Sequence, residues 1–286
     1  MKKAYIKHLV SMLMFGTNGI VASKILLNSY EIVFLRTLLG SILLLLLFVL
    51  FGGKFTFLKN KKDFLFIALS GLAMGTSWMF LYEAYQEIGI SIGTLVYYCG
   101  PVIVMIMSPF MFNEKLTRTK IVGFIIVVIG LFLINGGAEG EKTALWGMIC
   151  GIMSAVTYFF MVTFNKKSTK ITGMENCVIQ LTVSFMTVTA FMILKQGLSI
   201  DLSEVNWFAV ILLGFINTGI GCYLYFSSLS DLPVQSVAVM GYIEPLSAVL
   251  FSALFLSETM STFQIAGAVC IIGGAMMGEL IKPERK

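Results

Sequence analysis

Ten apolar runs follow one another along the chain, at 5–27, 31–51, 64–86, 91–112, 119–135, 144–164, 174–194, 207–229, 234–256 and 262–281, parted by short polar stretches. A helix needs about 20 residues to cross a hydrocarbon layer of about 30 Å, and the runs fall around that length. The pattern predicts an all-α polytopic membrane protein with ten transmembrane helices, short loops and no stretch left over for a soluble domain. The first run follows Lys2, Lys3 and Lys7 as a signal peptide would, but it lacks a small-x-small site and carries Asn18 and Lys24, so it is expected to stay as the first span.

The pattern also repeats. Residues 235–280 align with 91–136 at a constant offset of 144, placing Tyr98 on Tyr242, Pro101 on Pro245, Glu114 on Glu258, Gly123 on Gly267 and Gly130 on Gly274. Pro, Glu and Gly carry backbone or charge roles that apolar drift would not reproduce, so two copies of one unit are expected, 1–137 and 143–286, with five spans each. An odd number of spans per copy makes the second copy inverted relative to the first. Loops that match in sequence should then face opposite sides and differ in charge. Lys115, Arg118 and Lys120 fall on Thr259, Thr262 and Gln264, as that requires.

Charge supplies the orientation. With ten spans and both termini on one side, that side receives 16 of the 20 basic residues, while the other receives Lys24, Lys142 and Lys195 and Arg36 stays inside a span. The positive-inside rule therefore puts both termini in the cytoplasm. Composition agrees, with 58% hydrophobic and 12% charged residues. The net charge of +5 is accounted for by these loops and gives no indication of a nucleic-acid partner. The five cysteines stand singly with no CxxC, and His8 is the one histidine, which argues against a redox site, a His-ligated metal or a histidine-based catalytic centre. No cofactor is implied.

Polar groups inside apolar runs are costly and are functional candidates by default. Asn18 sits in the notch Gly16-Thr17-Asn18-Gly19, which serves close packing or lines a cavity. Arg36 lies well inside span two and needs protein, water or a partner. Span three offers Trp78, Tyr82 and Glu83, the last as a functional acid or as a static pair with Arg36. Span four carries Tyr97 and Tyr98, then Gly100 and Pro101. A proline removes a backbone donor and clashes with the carbonyl four residues back, so the helix should open near Val96 to Tyr97 and free carbonyls that water, a ligand or a neighbour must satisfy. Span nine repeats the device with Tyr242 and Pro245 and places Glu244 deepest of all the acids, where a group able to exchange a proton with either side suits a proton-coupled carrier. Glu114 and Glu258 are read as fixing their own hairpins, and the glycines of spans five and ten as a flat packing ridge.

The segment Asn113-Glu114-Lys115-Leu116-Thr117 followed by Gly123 and Gly130, its copy Ser257-Glu258-Thr259-Met260-Ser261 followed by Gly267 and Gly274, and Phe34-Leu35-Arg36 together resemble the EamA family of the drug/metabolite transporter superfamily. The resemblance covers the whole chain. It implies ten helices in inverted five-helix repeats in the cytoplasmic membrane and alternating access around a central cavity, with export of amino acids, metabolites or toxic analogues as the common activity. The residues then read as a secondary transporter with no enzymatic role, whose partners are a small-molecule solute, membrane lipids and protons. Arg36, Glu83 and Glu244 would supply charge, and Trp78, Tyr82, Tyr97, Tyr98 and Tyr242 aromatic walls for a zwitterionic or amphipathic solute. The alternative is a lipid or glycolipid flippase, or a metabolite importer, on the same fold. Substrate, direction and oligomeric state are left open.

Overall fold

A computed structural model of the protein describes residues 2–135, 145–255 and 262–280; Glu258 lies outside them. The helices are α1 (Lys2–Gly16), α2 (Asn18–Ala22), α3 (Ser29–Leu50), α4 (Lys61–Tyr97), α5 (Cys99–Phe112), α6 (Arg118–Asn135), α7 (Leu145–Lys167), α8 (Gly173–Lys195), α9 (Trp207–Ile211), a π-helical segment (Leu212–Ile220), α10 (Gly221–Leu229), α11 (Val234–Gly241), α12 (Ile243–Phe255) and α13 (Thr262–Leu280). Among the described residues five helical stretches are long and apolar enough to cross a membrane by themselves, and the shorter or broken helices between and after them complete ten segments. Segments 2, 6 and 7 are the single helices α3, α7 and α8. Segment 1 is α1 with α2, segment 8 is α9 through α10, and segment 9 is α11 with α12.

The long α4 holds segment 3 and the start of segment 4. Its residues are helical throughout, yet Thr94 Oγ1 donates to the hydroxyl of Tyr85, nine residues earlier, at 3.1 Å. A straight helix would separate those residues by about 13 Å. The chain therefore reverses between them, in agreement with the two runs expected there.

Contacts between the copies come in matched pairs. Segment 2 packs on 7 (α3 on α8), 4 on 9 (α5 on α11) and 5 on 10 (α6 on α13). Segment 6 lies against 3 and 4 (α7 on α4 and α5) just as segment 1 lies against 8 and 9 (α1 on α10 and α12). The glycine ridge sits in this arrangement as expected. A Cβ on Gly130 would stand 2.6 Å from the Gly267 carbonyl oxygen, and one on Gly274 would stand 2.5 Å from that of Gly123, the same contact exchanged between the copies. Backbone cannot give way as a flexible side chain can. Gly130→Ala is expected to push α6 from α13 and cost about 1–3 kcal/mol, read as a clear fall in the thermal unfolding midpoint in detergent.

Both proline segments break, and at equivalent residues. Tyr98 stands between α4 and α5 with φ −71° and ψ 0°, and Tyr242 between α11 and α12 with φ −74° and ψ −7°. The opening is one residue beyond the expected Val96–Tyr97. Pro101 and Pro245 each fall at the third position of the following helix, in the first turn, where the amide hydrogen that proline lacks has no intrahelical acceptor. The carbonyl of Tyr98, at the break itself, accepts from the Tyr242 hydroxyl at 2.9 Å, so the two breaks are tied to each other.

Candidate functional site

Between the copies lies a cavity of about 630 Å³, walled by segments 1, 2, 3, 4, 6, 8 and 9. It reaches the end of the bundle where Ser23, Ser29 and Gln86 lie. At the opposite, N-terminal end it is closed by packing that leaves His8, Ser11, Ser228 and Gln235 with no exposed surface. Below Tyr225 and Phe226 on its wall, the hydroxyl of Ser228 donates to the Tyr225 carbonyl and accepts from His8 Nδ1 at 3.0 Å. Glu114 accepts the backbone amides of Val234 at 2.7 Å and Gln235 at 3.1 Å, and Gln235 takes Lys120 Nζ at 2.9 Å while donating to Ser108 Oγ at 2.9 Å. Lys166 Nζ donates to the carbonyls of Leu229, Ser230 and Leu232 at the end of α10. Glu114 was expected to fix its own hairpin, but it clamps the first turn of a helix in the other copy. Those amides have no partner within α11, and the carboxylate neutralises them.

Most of the sequence-predicted residues meet on the cavity wall: Asn18, Arg36, Trp78, Tyr82, Tyr97, Tyr98, Pro101, Glu244 and Pro245. Gly100 lies behind it, where a Cβ would stand 2.8 Å from the Tyr158 ring. Arg36 is held from two sides. Its Nε donates to Thr218 Oγ1 at 2.9 Å, and its guanidinium carbon lies 4.9 Å from the centre of the Trp78 ring, a cation–π distance. Glu244 sits in the first turn of α12, directly before Pro245, and lines the same cavity as Arg36. Asn18 serves both proposed purposes of its notch: Asn217 Nδ2 donates to Asn18 Oδ1 at 3.0 Å and Thr17 Oγ1 at 2.9 Å across the break at Thr17, while Gly16 next to it meets Ser247 of α12.

Two residues stand elsewhere. Glu83 is off the cavity wall, where its Oε1 accepts from Lys195 Nζ at 2.8 Å and from Trp146 Nε1 at 3.2 Å. The static pair considered for it does form, but with the cation at the end of α8 and not with Arg36. Tyr242 is fully buried between the two breaks and supplies no cavity wall, because its hydroxyl is used on the Tyr98 carbonyl and its ring packs on Tyr98 and Phe124. Lys195→Met should leave flux unchanged but cost about 1–3 kcal/mol, since the Glu83 side chain it leaves is only 11% exposed and, among the described residues, keeps just the Trp146 bond. Parallel transport and thermal-unfolding assays check this.

Sequence reasoning did not find the π-helical turn of segment 8, Tyr85, or Thr218. Tyr225 of segment 8 also lies on the wall, its hydroxyl 3.4 Å from that of Tyr158.

The scaffold can be compared with known proteins on this basis. The model of the EamA-like transporter family matches the chain twice, over residues 2–136 and 142–278. The chain belongs to this family. It is a multi-pass membrane transporter of the EamA type. Among its relatives, the uncharacterized transporter YxxF of Bacillus subtilis is 28% identical over 95% of this chain and 88% of its own length. A probable amino-acid metabolite efflux pump of Salmonella typhimurium is 25% identical over 59% of this chain and 60% of its own length. A solved crystal structure superimposes with a TM-score of 0.83 over 97% of this chain and 98% of its own, at 17% identity, which speaks for the fold.

Proposed function

We propose that this EamA transporter is a secondary active carrier of the cytoplasmic membrane that exports an amino acid or related amphipathic solute by alternating access. In this reading the two halves are inverted, both termini are cytoplasmic, and Glu244 exchanges a proton with the solute's cycle. The observation that carries the reading is one cavity that sets the cation Arg36 and the acid Glu244 among Trp78, Tyr82, Tyr97 and Tyr98, reached from one end of the bundle and closed at the other. A zwitterion with an apolar body finds an opposite charge for each of its ends and aromatic surface between them. A cavity of about 630 Å³ falls within the usual range for sites that enclose small ligands. The name of the Salmonella relative supports the same solute class.

The test is transport in proteoliposomes, with a panel of labelled amino acids and their amphipathic derivatives under an imposed pH gradient. Saturable accumulation that collapses with the gradient is expected for at least one of them. If none moves or competes, the solute class is wrong. Headgroup-labelled lipid moving in the same vesicles would favour the flippase alternative.

A further inference from the structure

Segment 8 changes its winding where it passes Arg36. Residues Leu212–Ile220 are π-helical, a turn rare in proteins and commonly found at functional sites. Two close approaches pin this turn to α3. A Cβ on Gly40 would stand 3.2 Å from the Gly214 carbonyl oxygen, and one on Gly214 would stand 2.6 Å from the Leu39 side chain. Gly40 is one turn along α3 from Arg36, so the contact that seats the π turn lies directly beside the arginine.

Thr218, wholly buried, fills the gap between them. Its hydroxyl donates to the carbonyl of Leu213, five residues back, at 2.8 Å. A hydroxyl that spends its hydrogen this way presents only its lone pair to Arg36, and Nε takes it at 2.9 Å. Among the described residues this is the one hydrogen bond of the guanidinium. The bond occupies the Nε edge of the fork and leaves the Nη groups free for a solute, with the guanidinium carbon 4.9 Å from the centre of the Trp78 ring and Arg36 on the cavity wall.

The repeat contains an unplanned control. At the offset of 144, Arg36 falls on Gln180 and Thr218 on Met74, and those two residues meet as well, with Gln180 Nε2 3.9 Å from Met74 Sδ. The equivalent pair of backbone positions touches twice across the two copies, but only the Arg36–Thr218 contact joins a cation to an oxygen acceptor. The polar pairing is therefore a feature of the first site and not a consequence of the scaffold.

We propose that Thr218 is the positioning residue of the transport site: through the π turn it holds Arg36 with its Nη fork presented to the cavity, and so selects solutes that carry a carboxylate. The selection for carboxylate rests on the carrier reading above; the positioning does not. Trp78, one of three tryptophans, can report it. In a background with Trp146→Phe and Trp207→Phe, the emission of Trp78 and its quenching by iodide relative to neutral acrylamide follow the guanidinium beside the ring. Thr218→Val should move emission and the iodide-to-acrylamide ratio toward those of Arg36→Gln. Thr218→Ser, which restores the hydroxyl, should return both to the parent's values, and Gln180→Ala should leave them unchanged. In transport, Thr218→Val should raise KM for a carboxylate-bearing amino acid about tenfold with kcat little altered, and should leave KM for the matching amine unaffected. A Trp78 signal that is the same with valine and serine at 218 overturns the positioning. If valine fails to fold, an unchanged signal in Thr218→Ala does so equally. The expected signal change with no amino acid transported by the parent sustains the positioning and rejects the solute class instead.

Discussion

Glu244→Gln is expected to abolish gradient-driven accumulation while leaving a folded protein. Among the described residues Glu244 is the one acid on the cavity wall, and glutamine keeps its shape and hydrogen-bonding reach but cannot release a proton. The break before α12 survives, because Pro245 and the Tyr242–Tyr98 tie are untouched. On the carrier reading, accumulation under an imposed pH gradient falls to that of vesicles without one, and exchange down a solute gradient persists. Thermal unfolding of the variant establishes that it is intact. Undiminished uphill flux in an intact Glu244→Gln protein would remove the coupling role.

The second large effect concerns the closed end. Glu114→Ala removes an acceptor from two backbone amides at 2.7 and 3.1 Å, and hydrogen bonds to a charged group contribute about 1.5–3 kcal/mol each. Part of that loss returns when water reaches the amides, but the remainder acts only in the state where α11 is held against segment 4. The population open at the N-terminal end should rise about tenfold or more, since about 1.4 kcal/mol shifts a two-state equilibrium by a factor of ten. Cys222 lies on the cavity wall and can report this. With Cys99, Cys150, Cys177 and Cys270 replaced by serine, its labelling by a membrane-impermeant maleimide from the N-terminal side should accelerate in Glu114→Ala. An unaltered rate would mean that the clamp does not hold this end shut.

Much of the site was legible. Pro101 and Pro245 announced the two breaks because proline's missing donor acts on the backbone whatever surrounds it. Arg36, Asn18 and Glu244 stood out because a polar group in an apolar run must find a cavity or a partner. Which of the two it finds was not legible. Glu83 and Glu244 look alike in sequence, yet Lys195 and Trp146 meet the first and the cavity receives the second. Tyr98 and Tyr242 are equivalent in the repeat, but only Tyr98 reaches the wall. One signal was present and unused. At the offset of 144, Arg36 faces Gln180, Glu244 faces Gly100, Asn18 faces Val162 and Thr218 faces Met74. The copies share what builds the scaffold and differ where the chemistry sits, so the divergent polar positions point to the site as clearly as the matched ones point to the fold. Thr218 was in reach by that comparison.

By itself, the sequence determined the number of membrane segments, the repeat, the two proline breaks and the glycine ridge. Each of these follows from properties that act locally: run length against bilayer thickness, a missing amide hydrogen, a missing Cβ. Only the tertiary structure decided which polar groups share the cavity, that Glu114 closes one end of it by gripping the other copy, and that a π turn seats Thr218 behind Arg36. Those facts depend on residues 100 to 200 positions apart and on side-chain directions set by packing, and an apolar run carries no record of which neighbour it will meet.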